Sequence, residues 1–217
     1  GAWIEAPLLA AAGALSTWAL VATALWPLPL LTAAALAWRV QSSPGARRAA
    51  WLGWCYGFGW LLAGTWWLFI SMHRYGGLPA PLAAAAVLAL AAVLSLYLAA
   101  AGAAFARWRR GTAWDAVLFA ALWLLAELAR GTLFTGFPWA ATGYALVDSP
   151  LAALAPWVGV YGMGALAAFV VALAALRPDR SLAGWLRGIA LPVVLVAGPW
   201  LIGVPDFTRP TGTLSVT

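Results

Sequence analysis

The sequence predicts an all-α polytopic membrane protein of about seven transmembrane helices, with a cytoplasmic amino terminus. Three observations carry that reading. Of 217 residues, 65% are hydrophobic and only 8% are charged, whereas a soluble domain carries about 25% charged residues. Such a chain has too little polar surface to cover itself in water, and disorder is excluded because disordered chains are poor in apolar residues. The apolar residues gather in runs near the ~20 residues that a helix needs to cross a bilayer. The net charge of +6 comes from arginines scattered between those runs, which is a pattern of membrane orientation rather than a nucleic-acid surface.

The first run covers Ile4 to Leu20 and gives way to a turn at Trp26, Pro27 and Pro29. A short second run, Leu28 to Ala37, ends at Arg39, so the first two also read as one broken hairpin. Gln41 to Arg48 is a loop by its Ser, Pro, Gly and Arg content. The third run, Trp51 to Met72, ends at His73 and Arg74; the fourth, Pro81 to Phe105, stops at Arg107, Arg109 and Arg110. The fifth covers Ala113 to Arg130. From Gly131 to Trp157 the chain stays apolar but is broken by Gly136, Pro138, Gly143, Pro150 and Pro156. The sixth run is Val158 to Leu176, and the seventh, Leu186 to Val204, is expected to kink at Pro192 and Pro199. No signal peptide is expected, since the first run lacks a basic leader and continues into further spans.

Nine of the twelve basic residues fall on one side: Arg39, Arg47, Arg48, Arg107, Arg109, Arg110, Arg177, Arg180 and Arg187. Arg74, Arg130 and Arg209 fall on the other. The positive-inside rule places the richer side in the cytoplasm, so the carboxyl end after the seventh span emerges outside. Residues 1–204 then form the transmembrane domain. Residues 205–217 read as a linker with Pro205 and Pro210, followed by a strand from Thr213 whose polar and apolar residues alternate.

Few residues are equipped for chemistry. All twelve basic residues are arginine, and the chain holds one cysteine and one histidine. An intrachain disulfide and a structural zinc site are thereby excluded, and no metal or cofactor is expected. Cys55 reads as a buried, inert helix residue, because a thiolate in hydrocarbon is disfavoured and no base lies near it in sequence. Gly53, Gly57, Gly59 and Gly64 read as a small-residue packing face. His73 reads as a solvated loop histidine, a catalytic role being the sharper alternative. Metalloprotease and P-loop patterns are absent.

Glu127 and Arg130 share a helix face by their spacing. Two readings stay open for them: an ion pair that anchors the helix at the outer interface, or an arginine that receives a lipid phosphate with Glu127 orienting it. The segment Thr135 to Tyr144, which includes Phe137, Pro138 and Trp139, is too broken for a span and too apolar for an aqueous loop. Interfacial aromatics are common; the alternative is a lid or lipid-facing wall at the outer interface.

Glu127-Leu-Ala-Arg130, Leu133-Phe-Thr-Gly-Phe-Pro-Trp139 and Gly143-Tyr144 resemble the apolipoprotein N-acyltransferases of Gram-negative bacteria. So do Gly57-Phe-Gly59, Trp67, Ser71, Gly76-Gly77, Pro79-Ala-Pro81, Leu154-Ala-Pro156 and Gly159-Val160. The resemblance implies a multi-pass enzyme of the bacterial inner membrane, monomeric, with its carboxyl terminus periplasmic. Such an enzyme moves an acyl chain from a phospholipid donor, through a thioester, to the amino-terminal diacylglyceryl-cysteine of a lipoprotein acceptor. It also implies that the catalytic Glu, Lys and Cys belong to a periplasmic nitrilase-like domain whose first strand begins at Thr213. This chain would be the membrane half, without catalytic residues of its own. Arg130, Glu127, Phe137, Pro138, Trp139, Tyr144, Phe69 and His73 are then the expected lipid- or substrate-binding residues. Phe69 departs from the family, which often has tyrosine there. The competing class is a non-enzymatic transporter or scaffold, but no inverted repeat or polar mid-span residue supports it.

Overall fold

A computed structural model describes residues 2–176 and the isolated positions 190, 193, 194 and 198. The expected seventh span, the strand from Thr213, and Arg177, Arg180, Arg187 and Arg209 lie outside the described residues. Within them the chain is helical and contains no strand. Three helical stretches are long and apolar enough to cross a membrane: Ala80–Trp108, Trp114–Thr135 and Pro150–Ala175, with a shorter apolar helix at Ile4–Leu20.

The elements are α1 (Ala2–Ser16), α2 (Pro27–Gln41), α3 (Ala46–Gly64), α4 (Trp67–Ile70), α5 (Ala80–Leu94), α6 (Leu96–Trp108), α7 (Trp114–Thr132) and α8 (Ala155–Ala175). The expected run Trp51 to Met72 is not one helix. It starts earlier, at Ala46, and breaks at Thr65, whose buried hydroxyl donates to the Leu61 carbonyl at 2.7 Å. A threonine that bonds back one turn competes with the helical ladder and bends it. After the break, α4 leads into a π-helical turn at Ser71–Tyr75. The expected fourth run likewise divides into α5 and α6 at Ser95, whose hydroxyl donates to Ala91 at 2.5 Å. α8 carries a kink at Gly159, where φ is +64°, a conformation that costs glycine little.

α1 and α6 pack along α3, α7 along α6 and α8, and α8 returns to α2. These helices surround one core that includes Leu9, Leu36, Tyr56, Trp60, Phe105, Phe119, Trp123 and Val171. Between helices in lipid, close van der Waals fit replaces the hydrophobic drive, and the glycines supply that fit on two faces of α3. A methyl added at Gly59 would meet the Ala10 carbonyl oxygen of α1 at 1.8 Å, and one at Gly53 the Leu98 carbonyl oxygen of α6 at 2.5 Å. The expected small-residue face is therefore a packing face, split between two neighbours. Cys55 lies in the core, 5% exposed.

The arginine-rich end is tied together by polar contacts. Glu5 receives Arg39 and Arg48, each at 2.5 Å. Arg109 donates to the Val40, Gln41 and Ser43 carbonyls. The first two carbonyls belong to the last turn of α2 and the third to the loop just after it, a place where helix acceptors run short of intrahelical donors.

Candidate functional site

The site is built at the far end of the bundle, where α7 meets the broken segment that follows it. Trp123, Glu127 and Arg130 recur at helical spacing on the buried face of α7. Arg130 is 3% exposed and Glu127 1%, so neither sits at an open interface. One nitrogen of the Arg130 guanidinium is committed to the chain itself, while Nη2, like Glu127 Oε2, is buried without a hydrogen-bond partner among the described residues. Arg130 Nη1 donates to the carbonyls of Phe137 at 2.8 Å and Trp139 at 2.6 Å. Its Nη2 stands 3.9 Å from Glu127 Oε1, an ion pair longer than a hydrogen bond. The guanidinium carbon also lies 5.5 Å from the centre of the Trp60 ring, within cation–π range. Glu127 Oε1 in turn accepts the Thr142 backbone N–H at 2.7 Å and its hydroxyl at 2.9 Å. The two charges thus hold opposite ends of one stretch, Phe137 to Thr142.

That stretch needs holding. Phe134, Thr135 and Ala140 have φ of +52°, +74° and +58°, and they are the positive-φ non-glycine residues among the described ones. Each such residue costs on the order of 1 kcal/mol or more and persists only where its surroundings over-determine it. Gly136, at φ +79°, sits where an added methyl would lie 2.1 Å from the Gly131 carbonyl oxygen. The Phe137 N–H closes the turn onto the Arg130 carbonyl at 2.7 Å. Gly164 on α8 leaves room for the carboxylate, since a methyl there would come within 2.6 Å of Glu127 Oε2.

The segment brings its aromatic rings against α4. Trp139 lies 6.3 Å from Trp67 and 5.4 Å from Phe137, centre to centre. Beside them, Phe69 stacks on Trp66 at 4.9 Å and meets His73 at 5.5 Å. Trp66, Trp67 and Trp139 are each about half exposed. Trp67, Phe137 and Trp139 form a shelf of partly exposed rings, and Trp66, Phe69 and His73 a second stack on the same segment. Rings such as tryptophan's, with one polar handle, suit a boundary between apolar and aqueous surroundings. Phe137 also anchors the shelf inward, against the cluster of Leu61, Ala91 and Leu94. The His73 ring nitrogen Nδ1 bonds the Leu78 carbonyl at 2.8 Å, which closes the turn after α4. Pro138 is exposed. Tyr144 is half exposed and takes no part in these ring contacts.

The eight expected residues therefore divide by position. Phe137 and Trp139 meet on the shelf with Pro138 between them, Phe69 and His73 stack with Trp66 as a second set on the α4 segment, Tyr144 stays apart, and Arg130 and Glu127 lie beneath the shelf. Thr142, Trp60 and Trp123 belong to the same constellation and were not expected. Trp123 stacks on Trp60 at 5.9 Å and donates its indole N–H to the Thr142 hydroxyl at 3.2 Å. The spacing of Trp123 to Glu127 and Arg130 was a legible signal for that one residue. Among the described residues no cluster of His, Cys, Asp or Glu could hold a metal.

Known proteins share this chain's pattern. Residues 12–173 match the family model for the apolipoprotein N-acyltransferase N-terminal domain. Apolipoprotein N-acyltransferase from Ralstonia nicotianae is 46% identical over 95% of this chain and 40% of its own length. The protein of that name from Verminephrobacter eiseniae is 54% identical over 74% of this chain and 31% of its own length, and that from Pseudomonas syringae pv. tomato 40% identical over 97% and 44%. The chain thus spans less than half the length of these curated relatives. With most of its described residues inside the matched region, the chain belongs to the apolipoprotein N-acyltransferase family.

Proposed function

We propose that this chain is the membrane-embedded part of an enzyme that N-acylates the amino-terminal diacylglyceryl-cysteine of bacterial lipoproteins. The acyl chain comes from a phospholipid through a thioester, and the enzyme works as a monomer in the inner membrane. In this reading the chain makes about seven spans, with its amino terminus cytoplasmic and residues 205–217 leading into a periplasmic nitrilase-like domain that supplies Glu, Lys and Cys. The composition agrees: the chain has no lysine, and its one thiol, Cys55, is buried in the core. Its own task is then to receive lipid at the outer boundary and deliver it to that domain.

The observation that carries the reading is the aromatic shelf and the way it is held. Trp67, Phe69, Phe137 and Trp139 offer rings to an acyl chain, while Arg130 and Glu127 spend their charge on the loop beneath. Arg130 acts as a positioning residue in this proposal, with no phosphate in its grasp. Preorganisation of this kind spares the loop ordering cost that lipid binding would otherwise carry.

The test uses the full-length enzyme in lipid nanodiscs. Trp139→Ala is expected to raise KM for the phospholipid about tenfold with a smaller effect on kcat, and Phe69→Ala to act in the same direction. Trp114→Ala removes an equally exposed tryptophan at the other end of α7 and should change neither. If Trp139→Ala behaves like Trp114→Ala, the shelf is an ordinary interfacial belt and the reading fails.

A further inference from the structure

A groove of about 900 Å³ opens at the arginine-rich end of the bundle, between the start of α3 and α6. Pro44, Gly45, Arg47, Trp51, Trp54 and Ala99 are among the residues that line it. Arg47 and Gly64 stand 17 positions apart on α3, so at 1.5 Å per residue the groove and the Trp139 shelf lie roughly 25 Å apart along the helix.

The two ends of the groove differ in chemistry. At its mouth Arg47 is exposed, and among the described residues it pairs with no carboxylate. Arg48 beside it shares the single carboxylate of Glu5 with Arg39. The end of α6, with Arg107, closes on the same region, where a methyl on Gly102 would meet the Ala49 carbonyl oxygen at 2.6 Å. The nearby Asp115 is committed to the backbone N–H groups of Arg110 and Gly111, at 2.8 Å each. Positive charge is therefore in surplus at the mouth.

Beyond it the wall turns aromatic. Trp51 stacks on Trp54 at 5.3 Å and Trp54 on Phe58 at 5.0 Å, with planes 11° and 13° apart. These three residues share one face of α3 and continue for roughly 10 Å along it. The only polar atom of the Trp54 ring, its N–H, donates to the Ala92 carbonyl at 3.0 Å, which fixes the ring within the stack and leaves no unpaired polar atom on it.

A cationic mouth continued by a dry aromatic wall fits an amphiphile with an anionic head and an acyl tail. We propose that this groove binds an anionic phospholipid of the arginine-rich leaflet, with its phosphate at Arg47 and one acyl chain along Trp51 and Trp54, running toward Phe58 past the end of the groove. Among the described residues that line the groove there is no serine, cysteine, threonine or histidine, so none of them is a nucleophile for the lipid ester, and the site is proposed as one of binding. The site is independent of the acyltransferase reading and of the shelf.

The experiment places the full-length protein in phosphatidylcholine nanodiscs. These are doped with a phosphatidylglycerol or a phosphatidylcholine probe that carries a diazirine in its acyl chain, and cross-linked peptides are mapped by mass spectrometry. The phosphatidylglycerol probe should label residues 47–58, and excess unlabelled phosphatidylglycerol should compete. Arg47→Gln should lower that labelling on the order of fivefold, the factor expected of one interfacial cation against an anionic lipid. Arg47→Lys should stay within about twofold of wild type, which separates charge from any loss of fold. Labelling of residues 133–144 should not change in either variant. Equal labelling by the two probes would mean non-selective annular lipid only and would overturn the proposal, as would labelling indifferent to Arg47→Gln.

Discussion

Replacing Arg130 with methionine keeps the apolar stem and volume but removes the guanidinium that holds the shelf. Two hydrogen bonds are lost, to the Phe137 and Trp139 carbonyls at 2.8 and 2.6 Å. Bonds from a charged donor contribute about 1.5–3 kcal/mol each, and burial of Arg130 at 3% exposure leaves little solvent to screen them. The Glu127 carboxylate, 1% exposed, would also be left without its cation, and stranding one member of a buried pair costs about 3–5 kcal/mol. These effects overlap, so the lower figure, about 3 kcal/mol, is the safe expectation for opening of the 133–142 segment. At about 1.4 kcal/mol per tenfold, amide protection there should fall by roughly a hundredfold. Hydrogen exchange in nanodiscs reads this directly, with α3 and α6 amides as the internal reference. Adding Glu127→Gln to Arg130→Met should recover part of the loss, because the stranded charge is gone. If protection across 133–142 is unchanged in Arg130→Met while the protein remains folded, the loop is held by other contacts and the clamp is wrong.

Three more outcomes follow from the packing and the charge distribution. Gly59→Ala should force α1 from α3 and cost about 1–3 kcal/mol, seen as a lower thermal midpoint in detergent. Gly57→Ala, whose methyl would meet the Ser95 and Leu98 side chains at 3.2–3.3 Å, should cost clearly less; equal losses would argue against backbone contact as the cause. Arg109→Gln should uncap the end of α2 and cost about 2 kcal/mol in the same assay, with Arg109→Lys intermediate; a neutral Arg109→Gln would show that those carbonyls are satisfied by water. Finally, single cysteines placed at Trp108 and Ser42 in a Cys55→Ala background should resist a membrane-impermeant thiol reagent added from outside. Labelling of Trp108→Cys in intact cells would reverse the proposed topology.

Hydropathy was enough to find the apolar stretches Ala80–Trp108, Trp114–Thr135 and Pro150–Ala175 and the shorter helix Ile4–Leu20, because a helix in lipid must satisfy its own backbone and be apolar along its length. That requirement is local and therefore visible in sequence. The breaks inside the runs at Thr65 and Ser95 were not visible. A hydroxyl that bonds back to the ladder and one that points elsewhere have the same sequence. The Glu127–Arg130 pair was legible from its spacing on one helix, but its use was not. Both open readings set it at the outer interface, as a helix anchor or a lipid receptor; the fold buries it and turns it on the carbonyls of Phe137 and Trp139. Those acceptors reach it through a turn in which Phe134 and Thr135 adopt left-handed backbone angles, and neither hydropathy nor periodicity encodes such a turn. Thr142 and Trp60 joined the site for a similar reason: one is brought back by the loop, the other is set by the fold within stacking distance of Trp123. The sequence by itself determined which segments are apolar and which loops carry the cations, since both depend on residues near one another in the chain. Only the tertiary structure decided which polar atom meets which, because a buried charge takes whichever partner the fold delivers to it.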